Sequence, residues 1–169
     1  VLNQLEKVST DNILLEPAMR NTAPCILYAA LKIYNQNPDA VMLVAPSDHW
    51  IDNEDEFIKN IETSFTACAK ENILMTLGVQ PNSPNTGYGY IQFDQRTSEI
   101  KKVKNFTEKP TLEKAQQFLS SGDYLWNAGI FVWSAKSIIK AFEKSLPEMV
   151  SLFNQGSSCW NTELEKSFI

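Results

Sequence analysis

The sequence predicts an α/β fold: a doubly wound, mainly parallel, Rossmann-like sheet carrying a β-rich insert. Three observations carry that prediction. Short apolar runs alternate with amphipathic stretches along the 169 residues. Val41-Met42-Leu43-Val44-Ala45 is apolar without alternation, the pattern of a strand buried on both faces of a parallel sheet. The order helix, strand, helix, strand, insert, helix, strand, helix requires right-handed helical crossovers between parallel strands.

Each element has its own signal. Thr22 is placed to cap the first helix, with Pro24 near its start. Ile26, Leu27, Ala30, Leu31 and Tyr34 follow at helical spacing, and 35–38 stops the run. Pro46 ends the apolar strand. Asn53 with Glu56 three residues on reads as a capping box for a second helix. Phe57, Ile61, Phe65 and Cys68 mark its inner face. Ile73 to Val79 reads as a strand, and 81–89 as a loop dense in Pro, Asn and Gly. Tyr90 to Phe93 and Ile100 to Phe106 read as strands, with Asp94 to Ser98 turning between them. Thr111 caps a third helix that ends at Gly122, with Leu112, Ala115, Phe118 and Leu119 inward. Ile130 to Trp133 is a short strand. Ser134 caps a fourth helix running through Leu146, with Ile138, Ile139 and Phe142 inward. The last sixteen residues show no pattern.

Composition excludes several classes. With 43% hydrophobic and 21% charged residues the chain buries a core. A formal net charge of −5 argues against a nucleic-acid partner, which calls for a Lys/Arg surplus. A small phosphorylated substrate stays compatible with it. Three widely spaced cysteines and one histidine argue against a Cys/His zinc site. Cys25 and Cys68 read as buried free thiols, which suits a reducing compartment. No apolar run approaches the ~20 residues that span a bilayer, so no membrane partner is expected. The chain opens on Val1, so residues are expected to precede it.

Ligands of doubly wound sheets bind beyond the carboxyl ends of the strands, so the segments that follow strands hold the candidates. In PSDH, Asp48 suits a magnesium ion, which takes one or two carboxylates plus substrate phosphates. Spacing alone slightly favours a helix cap shared with Asp52 and Asn53. In EPAMRNTAP, Arg20 suits a phosphate or a base, and Asn21 and Thr22 suit a base edge beside a helix N-terminus. The alternative is a capped helix start with a solvated arginine. In TGYGYI, Gly89 allows close approach of a ligand or simply turns the chain. In EKP, Glu108 suits sugar hydroxyls and Lys109 a phosphate, or both are a solvated strand end. In YLWNAGIFVW, Asn127 interrupts an apolar stretch as a ligand contact or as a turn residue. No G-x-G-x-x-G or Walker A pattern occurs.

Taken in order, EPAMRNTAP, PSDH, TGYGYI, EKP and YLWNAGIFVW resemble the sugar-1-phosphate nucleotidylyltransferases, most closely their bacterial guanylyl-transferring branch, from about Ile13 to about Phe153. The resemblance implies a nucleotide-diphospho-sugar transferase fold, incomplete here, with 1–169 a single partial domain and 154–169 a poorly defined tail. It implies the substrates GTP and mannose 1-phosphate, the products GDP-mannose and pyrophosphate, Mg²⁺ as cofactor, a cytoplasmic location and possible homo-oligomers. It also implies roles. Asp48 holds Mg²⁺ and is catalytic, and Lys109 meets the sugar phosphate and is catalytic. Arg20, Asn21 and Thr22 lie at guanine and ribose. Gly89, Glu108 and Asn127 bind mannose. The family's Gly-rich triphosphate loop and second metal-binding Asp have no match here, so residues 1–169 alone are expected to be inactive. Another sugar 1-phosphate or nucleotide, and a non-catalytic regulatory homologue, are the alternatives.

Overall fold

The computed structural model of the protein describes residues 7–9, 12–16, 20–96 and 100–165. Pro17 to Met19 of the segment before the first helix, Thr97 and Ser98 of the expected turn, and the end of the tail at 166–169 lie outside the described residues. The elements are α1 (Thr22–Gln36), β1 (Val41–Val44), α2 (Glu54–Lys70), β2 (Leu74–Val79), β3 (Tyr90–Phe93), β4 (Val103–Thr107), α3 (Leu112–Ser121), β5 (Tyr124–Ser134), α4 (Ala135–Ser145) and α5 (Pro147–Asn154). The α/β class and the expected order of elements are both present.

Helix ends follow the local chemistry closely. Asn53 Oδ1 accepts from the Glu56 amide at 3.0 Å and caps α2. Thr111 caps α3 through the Lys114 amide, and Ser134 caps α4 through the Ser137 amide. Gly122, at φ 72°, ends α3 in the left-handed conformation that glycine tolerates best. The start of α1 differs from expectation. Asn21 occupies the cap position, its side chain makes no capping bond, and Thr22 is already helical. Pro24 is tolerated there because the first four helical N–H groups have no intrahelical acceptor.

The five-stranded sheet runs β1-β5-β3-β4, with β2 also pairing β5. Its registered pairs, β3 with β4 and β3 with β5, are antiparallel. The sheet is therefore mostly antiparallel, not mainly parallel. The reason lies in the insert: the nine residues 94–102 between β3 and β4 are fewer than the dozen or more that a parallel crossover needs. Two burial expectations also change. Leu43 is 39% exposed, so β1 is not covered on both faces among the described residues. Leu112, the first residue of α3, is 58% exposed, and Ala115 is the fully buried one.

The molecule divides into two compact units, with boundaries inside β1, α2 and β5. The first comprises Val1–Met42, Ala67–Ile73 and Trp133–Ile169. In it α1 packs on α4 and α5 through Leu27, Tyr28, Ile138, Phe142 and Val150. Leu27 is wholly buried; a leucine so placed contributes about 1.5–3 kcal/mol. The segment after α5 is fastened to α1. Lys32 Nζ donates to both oxygens of the buried Glu165 at 2.6 and 2.7 Å, Tyr28 Oη donates at 2.5 Å, and the Asn161 amide donates at 2.9 Å. Trp160 covers this cluster, its ring 5.8 Å from that of Tyr28.

The second unit comprises Leu43–Thr66 and Leu74–Val132. Tyr90 is its fully buried centre, with Phe118 5.4 Å away, and Phe118 stacks on Tyr124 at 4.0 Å. Tyr90 Oη donates to the Asn85 carbonyl at 2.9 Å, which ties the 81–89 loop to β3. Among the described residues no helix is long and apolar enough to cross a membrane.

Candidate functional site

Three of the expected ligand residues form one row, with Gly89 just before β3, Glu108 just after β4 and Asn127 within β5. Tyr90 pairs with Thr107 on β4 and with Trp126 on β5, both antiparallel. The residue before Tyr90, Gly89, therefore falls between Glu108 and Asn127, and side chains in one such row share a face of the sheet. The Asn127 amide donates to the Gly89 carbonyl at 2.8 Å. Glu108 and Asn127 thus flank a residue that has no side chain. The result is a notch with a carboxylate on one wall and a carboxamide on the other.

Gly89 is required by that notch. A Cβ there would stand 2.7 Å from Glu108 Oε2 and 3.2 Å from the Phe106 ring. The Gly89→Ala substitution must displace the Glu108 carboxylate. We predict that in the Gly89→Ala protein the Glu108 carboxylate is turned away from the position it holds beside Gly89. A crystal structure of that variant checks it, and an unmoved Glu108 side chain would refute the notch.

Asn127 lies inside β5, not in a turn before it. Its Oδ1 accepts from the Gly129 amide at 3.1 Å and lies 3.2 Å from Thr76 Oγ1. Gly129, at φ 68°, is a left-handed break in the strand. The side chain therefore has a structural duty on its oxygen, while its Nδ2 donates to no group among the described residues. Glu108 also makes no hydrogen bond or ion pair there.

Asp48 sits in the turn after β1 and is exposed. It does not cap α2, because Asn53 does so and Asp52 accepts from Trp50 Nε1 at 2.6 Å. Asp48 has no hydrogen bond or ion pair among the described residues, so the capping explanation of this acid falls. Pro46, two residues before it, lies 3.5 Å from where a Gly129 Cβ would be. The PSDH turn is thus adjacent to the Asn127–Gly129 segment. Among the described residues no group of three or more His, Cys, Asp or Glu gathers to hold a metal. A single unpartnered carboxylate suits magnesium, which keeps several waters and takes its remaining oxygens from substrate phosphates.

Lys109 is exposed and adopts φ 39°, immediately before the buried Pro110. Left-handed backbone at a non-glycine residue costs about 1–3 kcal/mol, so the fold holds this lysine in place against its local preference. Arg20, Asn21 and Thr22 belong to the first unit. Asn21 has φ 69° and ψ −179°, a region that is essentially reserved for glycine. We predict that Asn21→Gly raises thermal stability, by up to ~3 kcal/mol. Thermal unfolding checks it, and a lowered Tm would refute the strain.

A cavity of about 320 Å³ in the first unit contains none of these residues. Its lining holds Lys70, Lys136 and Lys140 together with Asp39 and Glu71, so it is not a one-signed anion pocket. All three cysteines are free, and burial pushes the thiol pKa of Cys25 and Cys68 up, away from thiolate chemistry.

A family profile described as nucleotidyl transferase matches residues 2–163. The chain belongs to the nucleotidyl transferase family. A mannose-1-phosphate guanylyltransferase of Klebsiella pneumoniae is 41% identical over 153 residues, covering 88% of this chain and 32% of that protein. One from Escherichia coli K12 is 38% identical over 170 residues, covering 96% and 35%. The xanthan biosynthesis protein XanB of Xanthomonas campestris is 42% identical over 140 residues, covering 83% and 30%. The chain spans about a third of the length of these relatives. Among solved structures, a Thermus thermophilus protein titled mannose-1-phosphate geranyltransferase superposes with TM-score 0.79 at 27% identity, covering 92% of this chain and 45% of that one. A Helicobacter pylori protein titled mannose-6-phosphate isomerase superposes with TM-score 0.78 at 29% identity, covering 93% and 59%.

For this nucleotidyl transferase chain, sequence reasoning passed over two residues beside the notch. Phe106 is a half-exposed aromatic against Gly89. Thr76 reaches Asn127 from β2. A threonine in a strand carries no local signal, whereas Phe106 at a strand end next to EKP was readable as an exposed aromatic.

Proposed function

We propose that the full-length protein transfers a guanylyl group from GTP to mannose 1-phosphate, giving GDP-mannose and pyrophosphate. The observation that carries this reading is the row Glu108–Gly89–Asn127, in a chain about 40% identical to proteins named for that activity. A phosphate oxygen of mannose 1-phosphate attacks the α-phosphorus of GTP, and the bond to the β-phosphate oxygen breaks to release pyrophosphate. Such transfer depends mainly on positioning and on neutralising charge.

The row is suited to vicinal hydroxyls. The Glu108 carboxylate accepts from one, the Asn127 Nδ2 donates to another, and Gly89 lets the sugar lie against backbone. Lys109 brings an ammonium to the sugar phosphate, one residue from Glu108. Arg20, Asn21 and Thr22 take the guanine and ribose at the N-terminus of α1, whose first turn holds no acid. Asp48 would hold Mg²⁺, which when bound neutralises charge on the phosphates. A cytoplasmic location is part of this reading.

The test is pyrophosphate release by the full-length protein across a matrix of nucleoside triphosphates and hexose 1-phosphates. GTP with mannose 1-phosphate should give the highest kcat/KM, by at least about 10²-fold over glucose 1-phosphate, as expected where the site hydrogen-bonds a hydroxyl of defined configuration. Preference for another pair, or no pyrophosphate release, would overturn the proposal.

A further inference from the structure

We infer that Thr76 is a positioning residue that sets which way the Asn127 carboxamide faces, and thereby makes Asn127 a donor to the sugar. This rests on the proposed role of the row. Thr76 is on β2, and its Oγ1 lies 3.2 Å from Asn127 Oδ1, 3.1 Å from the Ile130 carbonyl and 3.4 Å from the Leu77 carbonyl. A threonine hydroxyl has one proton to give, so these three acceptors compete for it.

The Gly129 amide decides the competition. It donates 3.1 Å to the side chain of Asn127, and an N–H can only meet the carboxamide oxygen there. The carboxamide oxygen is thus turned toward Gly129 and Thr76, so the hydroxyl that meets it must donate. Were Thr76 to donate to Ile130 instead, two oxygens would face each other 3.2 Å apart with no proton between them. Two donors on one oxygen fix the amide plane, and they leave both hydrogens of Nδ2 for an acceptor outside the protein. Opposite stands Glu108, which as a carboxylate only accepts. The row then presents one donor and one acceptor wall, matching two neighbouring sugar hydroxyls of defined configuration. Without Thr76 the carboxamide has one anchor, and the donor wall is free to rotate.

The experiment compares Thr76→Val, which keeps the shape and removes the hydroxyl, with Thr76→Ser, which keeps the hydroxyl. Both are made in the full-length protein. For Thr76→Val we expect KM for mannose 1-phosphate to rise about tenfold, with KM for GTP within twofold and Thr76→Ser near wild type. Equal changes in both KM values, or no change in either, would overturn the inference. A crystal structure of the Thr76→Val protein supplies an arm that needs no activity. Rotation of the Asn127 side chain away from Gly129 supports the positioning role, and an unmoved side chain overturns it. Should the wild type release no pyrophosphate from GTP and mannose 1-phosphate, the functional reading fails, while this structural arm still decides the Thr76 inference.

Discussion

Replacing Asp48 by Asn in the full-length protein is expected to lower kcat/KM for pyrophosphate release by at least about 10²-fold, the scale of losing one preorganised charge at a transition state. The same change is expected to leave Tm within about 2 °C. The two halves belong together. Asp48 is exposed, and it has no hydrogen bond or ion pair among the described residues. A surface substitution that breaks nothing changes stability by no more than ~0.5 kcal/mol. Capping of α2 belongs to Asn53, so loss of the carboxylate cannot act through that helix. Activity near wild type would remove Asp48 from the metal site. A large fall in Tm would show a structural duty that the described contacts do not contain.

Much of this site was legible in the sequence because the residues that end elements carry local chemistry. Thr111, Ser134 and Asn53 announce helix starts through bonds made within three residues, and Gly122 announces a helix end through its left-handed backbone. The candidate segments around Asp48, Glu108 and Asn127 were readable because each follows an expected strand or interrupts an apolar run. What escaped is whatever depends on pairing between distant segments. The register that brings Gly89 between Glu108 and Asn127 has no local signature. The antiparallel character of the sheet comes from those same pairings. Asn127 and Gly129 look like turn residues, yet β5 passes through both, because the carboxamide bridges the left-handed glycine within the strand. Helix α5 was missed because it is short, and the segment after it because its anchor on α1 is 133 positions away in sequence.

Glu165→Gln should be the most destabilising of the single changes considered. Lys32 and Glu165 are both largely buried, with side chains 16% and 8% exposed. Removing one member of such a pair leaves the other charge uncompensated, at about 3–5 kcal/mol. For a domain of this size that corresponds to a fall in Tm of roughly 6–20 °C. Thermal unfolding at pH 7 checks it, and a change under 2 °C would show that the pair contributes nothing net.

The pH dependence of the same cluster has a defined sign. Burial alone would raise the Glu165 pKa, but bonds from Lys32, Tyr28 and the Asn161 amide, with the Lys32 charge, hold it below the ordinary carboxylate value. A depressed folded pKa contributes stability that is complete above the unfolded value, ~4.3, and is lost as pH falls through the folded value. Burial and the bond to Glu165 push the Tyr28 phenol up. Its contribution is complete below ~10 and is lost as pH rises further. The Tm difference between wild type and Glu165→Gln should therefore be widest between these limits and narrow below about pH 4. A constant difference down to pH 3 would contradict the assignment.

The central claim is that Glu108, Gly89 and Asn127 form the sugar-binding notch of a guanylyl-transferring enzyme, with the Asp48 turn beside it. A crystal structure of the full-length protein with GDP-mannose tests it most directly. The expected result is a mannosyl ring over Gly89, with one hydroxyl donating to Glu108 and a neighbouring one accepting from Asn127 Nδ2. A sugar bound away from this row, with Glu108 and Asn127 still facing solvent, would contradict it.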